Sequence, residues 1–226
     1  MLRALTPLYH WHAAHGARFI ERDGWQLPAA YTDAESEAAA ARAGVGLADI
    51  SAFAKLSLLG RGVPAVAQAL LGDGPALKPR GVAAFRAGDP VLACRLTEDY
   101  LLLLAATPCA AGLRQCLANV PQAPVVQHEV TSSYAGICLI GPHTEDVLRQ
   151  FTSLDLTAAL PAGTCAETNF AGVHALLVRP PESHLQLVRI YVGWDLAEYV
   201  WQRLLEGSQK EKITPLGFEG LSLMGW

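Results

Sequence analysis

Ala54-Lys55-Leu56-Ser57-Leu58-Leu59-Gly60 is matched further along the chain by Ala135-Gly136-Ile137-Cys138-Leu139-Ile140-Gly141. Each is an apolar run of strand length that stops at a glycine, and after each the spacing of apolar residues becomes helical. The helical positions are Val63, Val66, Ala67 and Leu70 in the first copy and Val147, Leu148 and Phe151 in the second. Both copies read as strand, turn, helix, and an internal repeat organises the chain.

Working outward, residues 90–96 and 100–105 read as a hairpin turning at Thr97-Glu98-Asp99, before a helix over 109–117. The second copy has strands over 173–179 and 185–192, a turn over 180–184 and a helix over 196–205. The unit is therefore β-α-β-β-α, used twice. Each copy leaves one apolar sheet face, and both are buried if the halves pack together around a central cleft, where a ligand is expected. The fold class is α+β. Pro121 and Pro124 interrupt the pattern, which places the boundary in 119–124. The expected division is an N-terminal region and first lobe over 1–120, with a helical lead-in at 32–42, and a second lobe over 121–226.

The 226 residues, 51% of them hydrophobic, suffice for a sizeable core. A net charge of -4 with 17 Lys and Arg and no basic run gives no footprint for nucleic acid. The most apolar stretch, 91–106, is broken by Arg95, Glu98 and Asp99 well short of the ~20 residues a bilayer span needs. No apolar leader opens the sequence, so a cytoplasmic protein without membrane contact is expected. The five cysteines lack a C-x-x-C pair and read as buried free thiols. His10, His12 and His15 are spaced so that they do not share one helical face, so no metal is expected. Gly44-x-Gly46 and Gly60-x-Gly62 mark turns and lack the full dinucleotide fingerprint.

Thr6-Pro7-Leu8-Tyr9-x-x-His12-x-x-x-Gly16-Ala17-Arg18, followed by Gly24-Trp25-x-x-Pro28-x-x-Tyr31, resembles the opening of the glycine-cleavage aminomethyltransferases. Arg42-x-x-x-Gly46-x-x-Asp49-Ile50-Ser51 is similar to the R-x-x-x-G-x-x-D-V-S of that family, Ile140-Gly141-Pro142 to its Q-G-P, and Pro215-Leu216-Gly217 to its P-x-G. Thr168-Asn169-Phe170-Ala171-Gly172 sits where the family has T-G-Y-T-G. The stretches 152–156, 163–168 and 176–179 look closer to the gamma subunit of heterotetrameric sarcosine oxidase, a small relative of the same fold. The sequence ends before the family's C-terminal β-barrel domain.

The resemblance implies a domain that holds tetrahydrofolate in the cleft and handles one-carbon units, with a carboxylate beside N5 of the pterin. Asp89 matches the first acid of the family's D-D pattern on a hairpin strand and is the candidate catalytic residue. Pro90 stands where the second acid would be. Phe53, Phe85, Leu92 and Phe170 are the candidate walls of the cofactor site, able to stack on or pack against a flat heterocycle. His174 is a further candidate, next to Val173, where the family has a glutamate; Leu221 replaces the arginine of G-L-G-A-R-D.

Three readings follow from that pattern. One is an aminomethyltransferase-like, tetrahydrofolate-binding protein of glycine-cleavage type with degenerate catalytic positions and a lipoyl carrier protein as partner. Another is a non-catalytic accessory subunit that packs on oxidase-like subunits. A third assigns the cleft to a different flat, apolar ligand, because lost polar partners leave a drier pocket. Residues 221–226 are apolar and, if exposed, would favour self-association or a partner.

Overall fold

The computed structural model describes residues 3–120, 123–181, 186–207 and 211–226. An N-terminal region of β1 (Ala4–Leu5), α1 (Tyr9–Ala14), β2 (Arg18–Arg22), β3 (Trp25–Ala30) and α2 (Ala34–Ala43) precedes the repeats. The first repeat contains β4 (Val45–Asp49), β5 (Lys55–Leu59), α3 (Val63–Leu71), β6 (Val82–Ala87), β7 (Asp89–Arg95), β8 (Tyr100–Ala105) and α4 (Ala111–Ala118). The second contains β9 (Val126–Glu129), β10 (Tyr134–Ile140), α5 (Thr144–Leu148), α6 (Leu156–Ala159), β11 (Thr164–Phe170), β12 (Val173–Arg179), β13 (Leu187–Gly193) and α7 (Ala197–Gly207). The chain closes with β14 (Ile213–Pro215) and α8 (Phe218–Leu223).

Counted from the repeated runs β5 and β10, each unit has one more strand than the sequence suggests; β4 and β9 precede the units, and the second also carries the short extra helix α6. The added strands are β6, an alanine-rich segment of weak strand propensity, and β11, whose polar residues hide its alternation. Both are held by long antiparallel pairing with the next strand, β6 with β7 and β11 with β12. The expected turn at 180–184 and the start of the following strand at 185 lie largely outside the described residues, as does Pro121 of the expected boundary.

The strands form a three-stranded sheet β1-β3-β2, a five-stranded sheet β6-β7-β8-β5-β9, and a six-stranded sheet β11-β12-β13-β10-β4-β14. The two large sheets are related by a reciprocal exchange. β4, just before the first repeated run, pairs antiparallel with β10 of the second, and β9, just before the second run, pairs with β5 of the first. The expected line at 120/121 is thus crossed by one strand in each direction. The exchange is locked identically on both sides. Thr131 Oγ1 accepts from the Lys55 N–H at 3.1 Å, and Ser51 Oγ accepts from the Gly136 N–H at 3.2 Å.

The closing glycines are equivalent as well. Gly60 and Gly141 have φ of +138° and +140°, and a Cβ on either would fall 2.3 Å from a carbonyl, that of Pro124 and of Gly44 respectively. Only glycine fits both the angle and the approach.

Three apolar clusters follow from this layering. The outer face of the six-stranded sheet is covered by α1, α5 and α7 around Trp201, Trp11 and Phe170. α3 and α4 cover the outer face of the five-stranded sheet. Between the sheets lies a third cluster, closed at one edge by α2 and α8. α2 starts at Asp33, whose side chain accepts from the Ser36 N–H, and runs through the Ala-rich segment to Gly44. Leu221 and Met224 are buried in the inter-sheet cluster and Trp226 packs against it, so the apolar C-terminal segment is largely covered; Leu223 is the large exposed side chain there.

Candidate functional site

The motif residues near the N-terminus form a buried frame. The fully buried His12 donates from Nε2 to Asp49 Oδ2 at 3.0 Å, and its Nδ1 accepts from the Tyr31 hydroxyl at 2.7 Å. This tautomer follows from the partners, since an ionised carboxylate only accepts. Asp49 Oδ1 also accepts from the Ser51 N–H at 2.8 Å. Burial works against the Asp49 carboxylate, but the hydrogen bonds from His12 and Ser51 outweigh it and hold its pKa below the ordinary range. Glu37, also buried, accepts from the N–H groups of Tyr31, Thr32 and Gly217, tying β3, α2 and the start of α8 together. His15 stacks flat on Trp11, with ring centroids 3.8 Å apart. The histidines are therefore spent on packing and hydrogen bonding, and among the described residues no group of His, Cys, Asp and Glu gathers as metal ligands.

The inter-sheet cluster is the cleft. Along β13 the side chains of Leu187, Arg189 and Tyr191 face it, while Val188, Ile190 and Val192 face the outer helices. Arg189 is 8% exposed, and its guanidinium lies over the Trp226 ring at 4.1 Å. Trp226 in turn approaches Phe53, with ring centroids 5.5 Å apart, and donates from Nε1 to the Ala106 carbonyl at 3.1 Å. The Ala106 N–H donates to the Pro90 carbonyl at 3.0 Å, so the indole sits beside the hairpin that carries Asp89.

Lys55 is buried nearby, 1% exposed, with Nζ donating to the carbonyls of Ser51 (2.7 Å), Phe53 (2.9 Å) and Thr131 (3.4 Å). Burial pushes its pKa down to about 7, against the pull of Asp49. Cys138 and Cys165 line the cleft as protonated thiols, pushed up to about 12 by burial. Cys94, fully buried, is raised for the same reason, whereas Cys109 and Cys116 are only partly buried. None of the three buried thiols is poised as a nucleophile.

The open part of the cleft lies at its other end. A cavity of about 80 Å³ is bounded by Tyr100, Tyr134, Glu167, His174 and Tyr191. An adjoining cavity of about 410 Å³ shares Leu96, Glu167 and Leu176 with it and adds Arg80. Burial and the neighbouring Tyr134 hydroxyl, then Glu167, raise the Tyr100 pKa, so the Tyr100 phenol at this end stays neutral.

Residues 8–224 match the family described as the GCVT N-terminal domain. The chain belongs to that family. Among relatives of this GCVT domain, the aminomethyltransferase of Geobacillus kaustophilus is 27% identical over 221 residues, covering 94% of this chain and 60% of that one. The aminomethyltransferase of Saccharopolyspora erythraea is 28% identical over 222 residues with the same coverage. The chain thus spans about 60% of the length of the curated relatives it matches. Two solved structures share the fold. One is the glycine cleavage system aminomethyltransferase T from Bartonella henselae, with a TM-score of 0.76 and 23% identity, covering 99% of this chain and 62% of that one. The other is a chain of the heterotetrameric sarcosine oxidase from Corynebacterium sp. U-96, with a TM-score of 0.63 and 22% identity, covering 91% and 94%.

In this GCVT domain the residues selected from sequence fall into five places. Phe53 and Leu92 meet in the cleft. Phe85 packs partly buried against the outer helices of the five-stranded sheet, and Phe170 is fully buried in the cluster on the far face of the six-stranded sheet. His174 stands at the cleft mouth, its side chain 74% exposed and 3.8 Å from Glu167. Asp89 is exposed at the start of β7, where it accepts from the Thr107 hydroxyl at 3.1 Å. Arg189, Lys55 and Trp226 were not singled out from sequence. A lone arginine at an inward position of the apolar run Leu187-Val188-Arg189-Ile190-Tyr191-Val192 is the signal that could have found one of them.

Proposed function

We propose that this chain is an aminomethyltransferase-like domain that binds a tetrahydrofolate-type ligand in the inter-sheet cleft and has lost most of the transferase chemistry. The observation that carries the reading is the cleft itself: a GCVT domain matched over residues 8–224 whose facing sheets present Phe53 and Leu92 at the centre and His174 at the mouth. A flat ring held there would be screened from water by apolar walls on both sides.

The loss of chemistry is supported by the surroundings of Asp89. A carboxylate that activates a bound amine must lie within hydrogen-bond reach of it in a shielded site. Asp89 is exposed and engaged with Thr107, and Pro90 beside it offers no acid. Calorimetric titration with tetrahydrofolate should give weak binding, and a lipoyl-bound aminomethyl donor should give little turnover. Absence of binding at millimolar folate would remove the folate assignment. Robust turnover abolished by Asp89→Asn would restore Asp89 as a catalytic residue.

The second reading, an accessory subunit, is favoured by one observation: similarity in extent to a chain that is itself part of a heterotetramer. Under that reading the chain forms a stable complex with oxidase-like subunits when expressed with them, and size-exclusion chromatography distinguishes the outcomes.

A further inference from the structure

Among the described residues Arg189 is a buried charge without a counter-charge. Its Nε and Nη1 have no hydrogen-bond partner, and no ion pair among the described residues includes it. A guanidinium stays charged at any physiological pH, and two unsatisfied N–H groups in a dry site are destabilising. The buried carboxylates of the domain do not help: Asp49 is held by His12 and Ser51, and Glu37 by backbone N–H groups. Lys55 adds a second buried basic group on the cleft side, 5.9 Å from the ring of Tyr191. Lys55 is itself satisfied by three carbonyls, so the unmet donors here are Nε and Nη1 of Arg189, beside the Tyr191 hydroxyl.

What rests on Arg189 now is a flat aromatic ring. The Trp226 indole supplies a π-face to the guanidinium and a wall contact to Phe53, but no acceptor for Nε or Nη1. A ligand that kept the ring and added an anionic edge would satisfy everything the indole satisfies, and the orphaned donors too.

We propose that Arg189 anchors a binding site for a planar aromatic carboxylate in the inter-sheet cleft, with the indole of Trp226 holding the ring position until the ligand displaces it. Trp226 lowers the apparent affinity, because only molecules with the indole withdrawn are competent to bind. The site shares the cleft with the folate reading but not its ligand chemistry, and the probes below contain no pterin, so either can fail alone.

The test is calorimetric titration of the full chain with indole-3-carboxylate and with neutral indole. Trp226→Ala should bind indole-3-carboxylate at least about tenfold more tightly than the natural chain, and at least about tenfold more tightly than it binds indole. Arg189→Met in the Trp226→Ala background should erase the preference for the carboxylate while leaving indole binding in place. The comparison of the two probes on Trp226→Ala needs no change at Arg189, so a misfolded Arg189 variant does not shelter the claim. Equal affinity for the two probes would overturn the anion site. Equal or weaker carboxylate binding in Trp226→Ala than in the natural chain would overturn the displacement by ligand.

Discussion

Lys55 carries its ammonium to the centre of the molecule, where the equivalent position of the second repeat is Gly136. Three carbonyls receive it, so the side chain pins the 51–53 turn to Thr131, just past the exchanged strand β9. Because burial depresses its pKa to about 7, the unfolded chain binds more protons than the folded one between there and the ordinary lysine value. Stability therefore rises with pH across that window. The gain from about pH 7 to about pH 10 is on the order of 3 kcal/mol, and Lys55→Met should flatten it, as urea unfolding at a series of pH values would reveal. A profile equally steep in Lys55→Met would assign the rise to other groups. At this scale the sequence was legible as identity but not as role. His12, Tyr31 and Asp49 were recognisable from their motif, yet their convergence on one buried hydrogen-bond chain depends on pairings between distant segments.

At the scale of elements, the repeated runs announced β5 and β10 because a continuous apolar stretch ending in glycine has few alternatives. β9 gave no such signal: Val126-Gln127-His128-Glu129 is four exposed residues without a clean period, and it is a strand because β5 offers it an edge. β4 is apolar enough to be a strand, but its partner, β10, lies in the other repeat. The glycines that close β5 and β10 should be the least replaceable elements of the turn chemistry. Gly60→Ala and Gly141→Ala each force a Cβ to within 2.3 Å of a carbonyl at a φ that L-residues avoid. Each should cost more than about 3 kcal/mol in chemical denaturation. Near-equal losses at the two sites would reflect the local symmetry; a negligible loss at either would mean that its turn relaxes freely.

For the whole molecule, the repeat was legible in the sequence, whereas the exchange of strands between its halves was not. Each large sheet lacks a strand until the other half supplies it, so 1–120 and 121–226 are expected not to fold as separate units. Expressed alone, each half should show little cooperative unfolding; mixed, they should associate and recover a single transition by circular dichroism. A cooperative transition in either isolated half would count against the exchange as a source of cohesion. The candidate site was half legible for a related reason. Leu92 points inward from a strand the sequence identified and Phe53 from the turn before β5, whereas Phe170 and Phe85 lie on β11 and β6, strands the sequence did not announce, and face outer layers.

The exchange of β4 and β9 also sets a timetable for synthesis. β5 leaves the ribosome with one edge bare, and the strand that covers it begins at Val126. At roughly 5 to 20 residues per second, that edge waits several seconds for its partner. During that interval β4 is without β10 as well, so the growing chain carries two unpaired strand edges at once. Those seconds are when a chaperone, or a neighbouring nascent copy offering the same strands, has its opportunity.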